Sequence, residues 1–139
     1  MNKWDRQRLV GLLVVAAALL GWIGCGGETL DLGTVTGTVT LDGEPLEGAE
    51  VVFQPEAGRP SYGETDSQGR YRLMFASQQP GAQIGSHRVM ISTFDVVLDE
   101  DDQATEIPER LPPRYHRESE LREEVAPGEN VIHFDLQSE

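Results

Sequence analysis

Thr34-Val35-Thr36-Gly37-Thr38-Val39-Thr40-Leu41, followed at once by Asp42-Gly43, decides the fold class. Threonine alternates with Val, Gly, Val and Leu, the period-two pattern of a half-buried strand, and β-branched side chains suit a pleated surface. Asp-Gly after such a run is the strongest short-range signal for a hairpin turn. Gly37 in mid-strand predicts a bulge or a closely packed neighbour. The same grammar repeats outward along the chain. Ala49 to Gln54 reads as a second strand with Ala49, Val51 and Phe53 on one face, and Ser61 to Thr65 as a short third. Asp66-Ser67-Gln68-Gly69 is a turn that enters Arg70 to Phe75, where Tyr71, Leu73 and Phe75 share a face. His87 to Thr93 holds His87, Val89 and Ile91 in phase. Leu121, Glu123 and Val125 alternate as a sixth strand, and after a turn at Pro127-Gly128-Glu129-Asn130 a seventh presents Ile132, Phe134 and Leu136. Pro55 to Pro60 and Gln78 to Gly85 read as loops, and Asp95 to Glu118 as the least regular stretch. Seven short strands separated by turn signals argue for an all-β sandwich.

The residues before this domain have another character. Lys3, Arg6 and Arg8 stand against Asp5 alone, Leu9 to Ile23 is uncharged and apolar, and Gly24-Cys25-Gly26-Gly27 follows. A basic start, a short apolar run and a small residue before a cut describe a secretion signal. Cys25, the one cysteine of the chain, sits in a setting that resembles the lipobox of bacterial lipoproteins. In that family the thiol takes a diacylglyceryl group, the peptide is cut before it, and the new amino terminus is usually acylated. Ile23 and Gly24 fit the pattern, whereas Trp22 stands where the family usually has Leu. The expected organisation is a signal peptide over 1–24, a lipidated Cys25 with a short tether to residue 33, and a domain over 34–139. The alternatives are an uncleaved anchor and a plain cleaved signal. The apolar run is shorter than the roughly 20 residues that span a bilayer. All three readings put residue 26 onward outside the cytoplasm.

Composition narrows the function classes. Without residues 1–24 the chain carries eight Arg, no Lys and 23 acids, a formal charge of −15. Nucleic acid is excluded as a partner, since phosphate contacts need a basic footprint. An anionic bilayer would repel this surface, so the membrane must be reached through lipid on Cys25. The absence of Lys removes Lys–Asn isopeptide staples and lysine-based catalysis. With no second cysteine there is no internal disulfide, and the core alone must hold the domain.

Gly37-Thr38-Val39-Thr40-Leu41-Asp42-Gly43-Glu44-Pro45-Leu46-Glu47-Gly48-Ala49-Glu50-Val51 resembles the opening of carboxypeptidase regulatory-like domains. Thr65-Asp66-Ser67-Gln68-Gly69-Arg70-Tyr71-Arg72-Leu73 is similar to their second signature, and Gly85 to Val89 and Pro127 to Leu136 also fit. The resemblance runs in order over nearly all of residues 34–137. It implies a single Ig-like/transthyretin-like seven-stranded sandwich of the kind that serves as an accessory module, in a chain similar to the family's small lipoproteins. A fold does not carry a function with it.

Each residue able to carry chemistry also has an ordinary structural reading. The acidic run Asp99-Glu100-Asp101-Asp102 offers oxygen ligands for Ca²⁺ but lacks the alternation and glycine of an EF-hand loop, so it reads as a solvated loop. Asp66 reads as a turn cap. Intradiol dioxygenases hold iron on a related sandwich with two Tyr and two His. Tyr62, Tyr71 and Tyr115 with His87, His116 and His133 are the available residues, but Tyr71 belongs to the core pattern and no paired His motif occurs. Hydroxyisourate hydrolase ends in Tyr-Arg-Gly-Ser, whereas this tail is Leu136-Gln137-Ser138-Glu139. Ser61, Ser86 and Ser119 lie in ordinary turn contexts. Leu111-Pro112-Pro113-Arg114-Tyr115-His116 has recognition character, Arg and Tyr being common interface anchors, although a loop laid across the sandwich edge explains it as well.

The expectation is therefore a lipid-anchored, non-enzymatic module of the cell envelope without metal or cofactor. Cys25 is its lipidation site, and Tyr115, Arg114 and Tyr62 are its candidate contacts to an envelope protein or glycan. Gly26, in place of an inner-membrane-retaining Asp, favours the outer membrane. The rival classes are a carbohydrate-binding module on Tyr62 and Tyr115, and a metal-dependent enzyme on a transthyretin-like fold.

Overall fold

The alternation of the opening stretch is realised residue by residue: Gly33, Val35, Gly37 and Val39 are buried, and the threonines between them are half-exposed. A computed structural model of the chain describes residues 30–139; the expected signal segment and Cys25 lie outside the described residues. In chain order the extended segments are β1 (Leu32–Leu41), β2 (Glu44–Pro45), β3 (Glu50–Pro55), β4 (Ser61–Glu64), β5 (Arg70–Arg72), β6 (Met74–Ala76) and β7 (Gln79–Pro80). There follow β8 (Ala82–Gln83), β9 (Gly85–Ser92), β10 (Asp95–Leu98), β11 (Ala104–Ile107), a 3₁₀ turn (Pro113–Tyr115), β12 (Arg122–Val125), β13 (Gly128–Val131) and β14 (Phe134–Leu136).

The domain is an all-β sandwich, with more strands than the seven expected. Each expected run is present, but one is divided and the last is shortened. Arg70 to Phe75 breaks at Leu73 because the chain changes sheets there: β5 pairs β1, whereas β6 pairs β4. The seventh run is strand only from Phe134 (β14), and the stretch expected as a turn before it is instead a paired strand, Gly128 to Val131 (β13). The two-residue bridges β2, β7 and β8 and the hairpin β10–β11 make up the rest. Phe75 is also corrected: it is half-buried outside the core, with the Arg59 guanidinium 5.4 Å above its ring.

In the first sheet β1 is the spine. β8, β5 and β2 pair with it antiparallel along one edge, and β13 and β14 run parallel along the other. The Asp42-Gly43 turn has both residues at positive φ (51° and 84°), the geometry that matches the twist of a two-residue hairpin. The second sheet is antiparallel in the order β12-β9-β3-β4-β6-β7.

Gly37 explains the break between β13 and β14. The Ile132 carbonyl lies over its Cα where any Cβ would overlap it, and there accepts a 2.7 Å hydrogen bond from the Tyr71 hydroxyl. Thr38 N–H turns instead to Nδ1 of His133, at 3.1 Å. Burial, and secondarily the charge of Glu123, push the Tyr71 phenol well above its ordinary range, so it stays a donor.

Between the sheets lie Val35, Val39, Val51, Phe53, Tyr71, Leu73, Val89, Ile91, Val125, Phe134 and Leu136, all buried. The Phe134 ring sits 6.2 Å from those of both Phe53 and Tyr71. Burying a large apolar side chain of this kind contributes about 1.5–3 kcal/mol, which is how a disulfide-free domain of this size stands.

Candidate functional site

The stretch expected to be irregular contains a built hairpin. Val96-Val97-Leu98 favours strand, and β10 pairs β11 from Asp95↔Ile107 to Leu98↔Ala104. The acidic run is its turn. Asp99 Oδ1 accepts from the amides of Asp101 and Gln103, both at 2.9 Å, and Asp102 adopts φ 58°. An Asx turn of this type is what short acidic side chains supply. All eight strand residues of the hairpin are exposed, including Val96, Val97, Leu98 and Ile107.

Glu109 closes the root of that hairpin. Its carboxylate accepts from Ser92 Oγ (2.5 Å), Thr93 N (2.9 Å), Thr93 Oγ1 (2.7 Å), Phe94 N (3.3 Å) and Leu111 N (3.0 Å). Burial pushes its pKa up, but the hydrogen bonds from Ser92, Thr93 and Leu111 outweigh this and bring it to about 2. Sequence reading missed this residue. A glutamate between Pro108 and Arg110 looks solvated, and apart from Leu111 N its donors lie some sixteen residues upstream.

Beside the root, the outer face of the second sheet forms a groove of about 380 Å³. Its floor comes from outward positions of β3, β4, β6 and β9: Glu50, Tyr62, Glu64, Met74 and Ser92. Arg72, Phe94 and Asp95 also line it. Tyr62 and Phe94 are 49% and 50% exposed, large values for aromatic rings. In the strand register Glu50 stands directly opposite Glu64, and Tyr62 opposite both Val52 and Met74.

Of the expected contact residues, Tyr62 is therefore in the groove. Arg114 and Tyr115 come together elsewhere, on the C-terminal tail. The Arg114 guanidinium lies 4.8 Å over the Tyr115 ring and donates to the carbonyls of Gln137 and Glu139, both at 2.8 Å. Gln137 N donates to the Tyr115 hydroxyl at 3.0 Å. Cys25 lies outside the described residues.

The histidines have separate employments. His87 is buried against Phe53, donates from Nδ1 to Gly85 O at 3.0 Å, and is held below its ordinary pKa by burial. His116 donates to Leu111 O at 3.1 Å, and His133 meets Thr38. Asp66 is a turn cap. Its Oδ1 accepts from Gln68 N and Arg70 N at 2.9 Å, and the Arg70 amide leads the causes that lower its pKa. Among the described residues no three His, Cys, Asp or Glu side chains are placed to hold a metal ion. No helix among them is long and apolar enough to cross a membrane.

No protein-family model matches the chain, and no curated protein matches it. Among solved structures it is similar to a 9R-lipoxygenase from Cyanothece PCC8801, at 17% identity and a TM-score of 0.39. That match covers 77% of this chain and 16% of the lipoxygenase.

Proposed function

We propose that this chain is a lipid-anchored, extracytoplasmic, non-catalytic β-sandwich module of the cell envelope that works by binding a partner. The observation that carries the reading is Cys25 behind a basic start and an apolar run, with Gly24 before it. The resemblance to small lipoproteins with a carboxypeptidase regulatory-like domain supports it. β1 begins at Leu32, only a few residues after Cys25 in sequence, and a tether that short would keep a lipid-anchored domain close to its membrane. The test is intact mass spectrometry of the membrane-extracted protein beside Cys25→Ser. A mass of residues 25–139 plus acyl chains, lost in the variant, is expected. An unmodified full-length mass would mean a retained anchor, and an unmodified shortened one a free protein.

A carbohydrate-binding module is the second reading, favoured by the exposed rings of Tyr62 and Phe94 in one groove. Its test is a glycan array with Tyr62→Ala and Phe94→Ala. Binding that does not depend on the rings would remove it.

A further inference from the structure

The floor of the groove carries a feature that weakens the sheet. Glu50 and Glu64 are direct cross-strand partners on β3 and β4, and like charges so opposed are destabilising. Asp95 lines the same groove, and Arg72 is the only cation in its lining. Among the described residues none of these four takes part in a salt bridge. Two other aromatic rings, Phe75 and Tyr115, are covered by the chain's own Arg59 and Arg114. Tyr62 and Phe94 have no such cover among the described residues. Unneutralised carboxylates beside uncovered aromatic rings are complementary to an organic cation, which gains from both the charge and the ring quadrupole.

We infer that this groove binds the Lys or Arg side chain of a basic polypeptide segment, the partner of the binding module proposed above, on which reading the inference rests. A volume of about 380 Å³ suits one long cationic side chain with its adjoining backbone. A neutral sugar could stack on Tyr62 but would leave Glu50 and Glu64 opposed. Ca²⁺ takes six to eight oxygens, whereas Arg72, Tyr62, Phe94, Met74 and two glycines of this lining bring no side-chain carboxylate.

The test titrates the full-length protein in nonionic detergent, at about 0.15 M salt to screen long-range attraction, with a fluorescein-labelled Gly-Arg-Gly-Arg-Gly peptide. Saturable one-to-one binding is expected by anisotropy. Glu50→Gln with Glu64→Gln should weaken it about tenfold or more, and Tyr62→Ala with Phe94→Ala by about three- to tenfold at unchanged charge. Glu100→Gln with Asp101→Asn, at the hairpin tip, should leave it within about twofold, because exposed charges beyond a Debye length are screened. The inference is overturned if the tip pair weakens binding as much as the floor pair, or if the aromatic variant binds like the parent. Displacement by chitotriose, displacement by millimolar Ca²⁺, or no saturable binding would overturn it equally. A lipidated protein that ignores the peptide sinks the groove alone, and an unlipidated protein that binds it sinks the anchor alone.

Discussion

Glutamates sit at both the hairpin root and the groove floor, and the chain treats them in opposite ways. Glu109 is surrounded by donors from Ser92, Thr93, Phe94 and Leu111, which outweigh the upward push of burial and hold it ionised. Glu50 and Glu64 face each other and have no ion-pair partner among the described residues. A carboxylate that builds the fold is recognisable by the donors gathered on it. One from which donors are withheld, in a groove with open aromatic rings, is available to something outside the chain.

The comparison breaks most visibly at Glu109. Glu109→Ala leaves Ser92 Oγ, Thr93 N and Leu111 N short of an acceptor, and should cost about 3 kcal/mol, since each partly buried unsatisfied group costs about 1–3. Thermal denaturation should then show a melting temperature lower by roughly 12–20 °C. A loss under about 1 kcal/mol would mean that the root stands without its carboxylate.

Acid titration sharpens the contrast. A carboxylate with a depressed folded pKa contributes stability that is present above its unfolded value of 4.5 and is lost as pH falls toward about 2. Stability measured by urea denaturation should decline through that window in the parent and much less in Glu109→Gln. His87 adds an earlier decline. Burial holds its folded pKa below 6.5, so the unfolded chain takes up the proton first as pH drops through that value. Glu109→Gln should leave the His87 decline intact.

At the groove floor the sign reverses. Glu50→Gln with Glu64→Gln removes an opposed pair and should stabilise by about 0.5 kcal/mol, raising the melting temperature by roughly 2–4 °C. In 1 M salt the gap between variant and parent should close, because the repulsion is screened. A lower melting temperature would show that the pair is not repulsive. The smallest effect belongs to Asp99→Ala at the hairpin tip. The global transition should not move, while amide exchange at Asp101 and Gln103 should quicken by about five- to tenfold, the equivalent of one lost hydrogen bond.

Period-two alternation made the seven core runs legible, with Val35, Val39, Phe53, Tyr71 and Leu136 buried where the pattern put them. Gly37 announced a close neighbour, and Ile132 is that neighbour. The pattern could not reveal the sheet change at Leu73, because alternation continues across it while the hydrogen-bonding partner changes. Nor did it show the hairpin β10–β11, whose two faces are both exposed and mixed in polarity. Tyr62 was recognisable as a ring with no place in the core pattern. The groove around it was not, because Glu50, Glu64 and Phe94 meet only through strand pairing and the Glu109 root.

The spine has a temporal consequence. β1 is the first strand of the domain, yet its whole parallel edge is supplied by β13 and β14, with Thr40 bonded to Asp135 across 95 residues. Such pairing has a high contact order and forms late, after a large loop is closed. A chain emerging amino terminus first, from a ribosome or through a narrow channel, cannot complete its first sheet until Leu136 has followed. Until then β1 keeps an open edge, and the domain remains a thread able to pass where a folded sandwich could not.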